Sequence, residues 1–223
     1  MKTGLRPIAG DQFLPDSFIF SEFMVSEKKT ALLIILIGCF GNVFAQNDSV
    51  FNSKTLSSFR LYNTGTAKNI HLPGEGAGKR FSLFIFLSPE CPLSQNYLPL
   101  FNSLSERYTN DISFYGIIPG KSYSAKIISE FASGYNIQFP LMIDSSKSLS
   151  NYMKAAVTPE IILLNNKNIL VYKGAVDDLL AGLGKRKVKA TNEYLKNAIV
   201  QSLENKQVSV KRTKAVGCKI NDY

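Results

Sequence analysis

Histidine is almost missing from this 223-residue chain: His71 is the only one, in an irregular Asn-Ile-His-Leu-Pro-Gly stretch, so no second histidine exists to build a metal site with it. Cysteine is scarce too, with Cys39, Cys91 and Cys218 alone, and position 94, three residues after Cys91, is Ser94, which excludes a local Cys-x-x-Cys pair. The purest apolar run, residues 31–37, is too short for an ordinary membrane span. Acidic residues number 17 against 26 basic ones, for a net charge of +9. What is plentiful is core material: the chain is 45% hydrophobic, with fifteen Phe and ten Tyr, enough to bury a full core in one domain. That composition excludes a disordered or fibrous protein.

The N-terminus reads as a leader. Lys28-Lys29 precede the apolar run, and Val43 and Ala45 are small residues at a cleavage position before Gln46-Asn47-Asp48, the pattern of an export signal ending at Ala45. Residues 1–23 lie ahead of Met24, a second candidate start. Leu36-Ile-Gly-Cys39 resembles a bacterial lipoprotein box, which would make Cys39 a lipid attachment point, and a retained anchor is a third alternative. The organisation expected is a leader over 1–45, a flexible linker over 46–57, a domain over 58–205, and a basic tail over 206–223 carrying Cys218.

Beyond residue 45 only Cys91 and Cys218 remain, an even pair in a chain bound for the periplasm or another extracytoplasmic, oxidising compartment. A bond between them would close a loop of about 127 residues, worth roughly 4 to 5 kcal/mol if unstrained. The four basic and four acidic residues of 1–45 cancel, so the positive excess belongs to the remainder, much of it in Lys185–Lys189 and Lys206–Lys219. Such clusters suit an anionic membrane surface or an acidic partner, or simply a solvated face. A nucleic-acid role fits poorly with export.

Chemistry concentrates where the apolar run 81–87 meets Ser88-Pro89-Glu90-Cys91-Pro92. A cysteine where a buried strand gives way to a helix start is set up as a stabilised thiolate, since free N–H groups and the helix dipole favour negative charge there. Glu90 could tune or oppose that charge. Periodicity then predicts a helix over 95–108, a strand over 112–118, a helix over 122–134, a strand near 139–143 and a small helix near 148–154. Residues 160–164 and 169–172 flank a polar turn, the pattern of a hairpin, and 191–203 closes with a covering helix. Alternating strands and helices with a terminal hairpin give a three-layer α/β domain.

These residues carry a resemblance. The strand-Cys-helix unit at Cys91, Val157-Thr-Pro-Glu160 before a strand, and Gly174-Ala-Val-Asp-Asp178 after the hairpin together resemble the thioredoxin-like superfamily, nearest the exported redoxins related to alkyl hydroperoxide reductase and thiol-specific antioxidant proteins. The likeness spans about residues 58–220 and implies an α/β/α fold with a central mixed sheet. It implies that Pro159 is the family's cis-proline, that Thr158 offers its backbone to an extended substrate segment, and that Cys91 is the attacking cysteine.

Two departures bear on chemistry. Ser94 stands where thioredoxins place the cysteine that releases the mixed disulfide; its hydroxyl can donate to a thiolate but cannot resolve. Among peroxiredoxins, Ser88 matches the Ser/Thr three residues before the peroxidatic cysteine, but Phe84 stands in the proline's place and no arginine matches clearly, Arg107 and Arg186 being the substitutes. Gly217-Cys218 resembles the ending of related exported redoxins, making Cys218 a candidate long-range resolving residue. The expected partners are therefore protein thiols or disulfides, or a peroxide, plus a reducing thiol, with no metal or organic cofactor needed. The alternatives are a non-catalytic protein-binding module with a structural Cys91–Cys218 bond, and a Cys91 that is an inert core thiol.

Overall fold

The computed structural model describes residues 49–72, 78–182 and 185–220. The leader, its cleavage position and Cys39 lie outside these residues. A seven-stranded mixed sheet organises the body, with strands β1 (Arg60–Asn63), β2 (Lys68–His71), β3 (Phe81–Phe86), β4 (Ile112–Pro119), β5 (Leu141–Asp144), β7 (Glu160–Asn165) and β8 (Leu170–Gly174) in the order β2-β1-β5-β4-β3-β7-β8. The three central strands β3, β4 and β5 run parallel, and the flanking pairs are antiparallel.

Both faces of the sheet are covered, which is why β3 reads as a mostly apolar run, broken only by Ser82, rather than an alternation. Leu83 and Ile85 enter one core with Leu98 and Phe101 of α2 (Pro92–Arg107), Ile128 and Phe131 of α3 (Ala125–Gly134), and Leu195 and Ile199 of α5 (Tyr194–Leu203). Phe84 and Phe86 enter the other, with Leu56 of α1 (Ser53–Ser58) and Leu149 of α4 (Ser148–Tyr152). The expected three-layer α/β/α arrangement with a central mixed sheet is the one observed.

Two segments depart from the sequence reading. The described part of the stretch expected as linker contributes to the body: Asn52 caps α1 by accepting the Thr55 N–H at 3.0 Å, Leu56 is buried, and Val50 bridges to Ile169. The β1–β2 hairpin falls in a stretch for which no strand was expected. His71 ends β2 on the surface, its Nδ1 2.9 Å from the Ser57 carbonyl oxygen.

The tail beyond α5 docks rather than trailing. Lys173 bridges Arg212 along it, with Lys173 N–H donating to Lys211 O and Thr213 N–H to Lys173 O, each at 3.0 Å. Thr213 Oγ1 also accepts the Ala175 N–H at 2.9 Å and lies 2.6 Å from the Tyr172 hydroxyl. This close approach requires Gly174, which holds φ +143° and where a Cβ would fall 2.2 Å from Thr213 Oγ1. The tail ends as β11 (Cys218–Lys219), antiparallel to β6 (Val157–Thr158).

Candidate redox site

Cys91 stands at the N-cap of α2, in extended conformation, with Pro92 at the first helical position, where its missing N–H costs nothing. Its own N–H donates to Ser88 O at 3.1 Å, closing the turn out of β3. The side chain is 2% exposed, and as a thiol it donates to Thr158 O at 3.0 Å. The Thr158–Pro159 peptide bond is cis. Strand β11 then lays Cys218 directly opposite Thr158 and Lys219 opposite Val157, while Ile220 N–H donates to Ala156 O at 3.0 Å. Cys91 and Cys218 are both free thiols, one buried and one exposed.

Such an approach depends on Gly217. A Cβ there would lie 2.3 Å from Thr158 O and 2.7 Å from Thr158 C, both backbone atoms that cannot move aside. The edge of β6 that the resemblance reserves for a substrate segment is thus occupied by the chain's own tail.

The two sulfurs share their protons unequally. Burial works against a Cys91 thiolate but is outweighed by hydrogen bonds from the Cys218 thiol, the Ser94 and Cys218 backbone N–H groups and Thr158, so its pKa falls below the ordinary value. Cys218 is pushed up to about 11 by burial and by its hydrogen bond and charge interaction with Cys91. Cys91 is therefore the sulfur that ionises first.

Ser94 contributes through its backbone N–H; its buried hydroxyl accepts the Ser88 N–H at 3.3 Å instead. Ser88 Oγ lies 2.8 Å from the Tyr123 hydroxyl, which also reaches exposed Glu90 at 3.4 Å. Burial and the Glu90 charge raise the Tyr123 pKa against the opposing Ser88 hydrogen bond. Ser88, Glu90 and Tyr123 line a cleft of about 240 Å³ at Cys91 and Cys218, in which Lys219 supplies the positive charge and no arginine appears among the described residues. Arg107 sits at the opposite end of α2 from Cys91, over the Tyr108 ring, and Arg186 lies on β10 (Lys185–Arg186), paired with β9 (Leu180–Gly182).

Behind the cis-proline, Glu160 and Lys173 form a largely buried pair at 3.5 Å. Glu160 accepts the Ala156 N–H at 2.7 Å, and Lys173 donates to the Met153 and Lys154 carbonyls, so every charge has partners. Burial lowers the Lys173 pKa despite Glu160. Asp177 accepts the Tyr97 hydroxyl at 2.6 Å, and Asp178 gathers Lys187, Thr191 and Asn192, which bounds the loop after β8. The sequence reading missed Tyr123 and the Glu160–Lys173 pair; a tyrosine just ahead of a helix and a charge inside an apolar strand were the available signals.

The molecule is similar to an uncharacterized conserved protein from Geobacillus kaustophilus, with TM-score 0.67 and 21% identity over 80% of this chain and 94% of that one. A hypothetical protein from Sinorhizobium meliloti aligns at TM-score 0.65 and 23% identity, covering 78% and 96%. A cysteine-to-serine mutant of PrxQ from Xylella fastidiosa aligns at TM-score 0.52 and 16% identity, covering 71% and 96%. The chain has the thioredoxin-like fold. No family model and no curated protein matches the sequence. Within the thioredoxin-like fold, Cys91 occupies the strand-to-helix junction and Pro159 the cis-proline beside it; the strand on Thr158 is supplied by the chain itself.

Proposed function

We propose that this chain is an exported thiol–disulfide oxidoreductase whose working couple is Cys91 and Cys218. One observation carries the reading: the tail pairs with Thr158 and sets Cys218 against Cys91, with Cys91 ionising readily and Cys218 holding its proton. In the net reaction the two thiols reduce an external disulfide to two thiols and become a Cys91–Cys218 disulfide; two electrons and two protons pass to the substrate. A peroxide could instead oxidise Cys91 to a sulfenic acid, which Cys218 would condense with, releasing water. The disulfide reaction is favoured because no arginine joins the described lining of the cleft. A structural, non-cycling bond is the competing reading.

Redox titration separates them. The full chain carrying Cys39→Ser, equilibrated in glutathione buffers and alkylated, should show a Cys91–Cys218 disulfide that forms and is lost reversibly. A bond that persists under strongly reducing folded conditions, or two thiols that never join, refutes the reading. Export is tested separately, by the N-terminal residue of the protein recovered from a bacterial periplasm.

A further inference from the structure

We infer that the oxidised pair is reduced through Cys218: a dithiol partner attacks the Cys218 sulfur, and Cys91 is the leaving group. This rests on the reversible bond proposed above. It departs from the assignment that the resemblance implies, in which Cys91 is the sulfur that meets the partner.

Displacement at sulfur is in-line, so the attacking thiolate arrives from the side opposite the sulfur that leaves. For attack on Cys218, that side is solvent, because the residue is exposed on the last strand of the tail. Attack on Cys91 would have to come from behind a side chain that is 2% exposed, at the start of α2 just beyond β3, where Ile85, Phe86 and Leu87 are completely buried. The β6 edge gives no other route, since β11 occupies it with Gly217 against the Thr158 backbone. Leaving-group chemistry agrees: Cys91 is the sulfur stabilised as a thiolate, by N–H groups already in place.

The reduction balances as follows. A partner thiolate bonds to Cys218 Sγ while the Cys91–Cys218 bond breaks, and Cys91 departs with the electron pair as a thiolate. The partner's second thiolate then attacks the partner's own sulfur, freeing Cys218, which takes up a proton. The partner ends as a disulfide, having supplied both electrons.

The test uses glutathione, a monothiol with no second sulfur of its own to release Cys218 from the mixed disulfide. The full chain carrying Cys39→Ser is oxidised, its disulfide is verified by intact mass, glutathione is added briefly, and the reaction is quenched by alkylation and mapped by peptide mass spectrometry. Glutathione is expected on Cys218 and the alkyl group on Cys91, by at least about tenfold over the reverse. Equal labelling, or glutathione mainly on Cys91, overturns the inference while leaving the functional reading intact. If intact mass shows no disulfide before glutathione is added, both fall together.

Discussion

Replacing Gly217 with alanine should uncouple the two cysteines while leaving the body of the protein folded. The added Cβ would sit 2.3 Å from Thr158 O, 2.7 Å from Thr158 C and 3.2 Å from Thr158 N. All three are backbone atoms of a residue held between the core and the cis-proline, so the tail must give way. Overpacking of this kind costs about 1–3 kcal/mol, which at about 1.4 kcal/mol per tenfold lowers the docked-to-undocked ratio of the tail by roughly fivefold to more than a hundredfold. The equilibrium constant for Cys91–Cys218 disulfide formation against glutathione should fall by the same factor. Thermal unfolding of the reduced protein should shift far less, because Thr213 still anchors the upstream tail on Tyr172 and Ala175. An unchanged glutathione equilibrium in Gly217→Ala would refute the claim that tail docking sets the couple.

Other residues give independent checks. Cys218→Ala should raise the pH midpoint of Cys91 alkylation, because the Cys218 thiol that supports the thiolate is removed; below that midpoint the variant reacts more slowly per exposed sulfur than the parent. Ser94→Ala should cost about 1 kcal/mol in urea unfolding, since the Ser88 N–H loses its acceptor, and leave that pH midpoint in place. Lys173→Met should destabilise by about 3–5 kcal/mol by stranding Glu160, with Glu160→Gln added to it restoring part of the loss. Lys187 and backbone and side-chain donors of Thr191 and Asn192 hold the Asp178 carboxyl well below the usual carboxylate range. Its contribution is present above the unfolded value and is lost only as pH falls through the much lower folded one. Residues 185–192 should therefore stay resistant to an acid protease at about pH 4, and Asp178→Asn should make them cleavable there.

The parts legible in the sequence are those in which periodicity and position act locally. An apolar run covered on both faces, a proline opening a helix after Cys91, and a Thr-Pro pair ahead of a buried strand placed β3, α2 and the Thr158–Pro159 corner. The β1–β2 hairpin was not legible because Arg60-Leu-Tyr-Asn63 and Lys68-Asn-Ile-His71 are half polar, and its turn holds Ala67 at φ +54° rather than a glycine. The tail gave no periodic signal either. Its docking depends on single contacts, Thr213 against Gly174 and Gly217 against Thr158, which are defined only after distant strands have met. Gly217-Cys218 drew attention to the tail, but not to the strand edge it fills.

The unequal sulfurs also fix how many protons accompany each electron pair. Below both pKa values, reducing the disulfide takes up two protons, and the potential should fall by about 59 mV per pH unit; between the lowered value of Cys91 and about 11 for Cys218, one proton suffices and the slope halves to about 30 mV. Alkaline surroundings would therefore change the driving force of this couple less steeply than that of a couple whose two thiols both keep their protons.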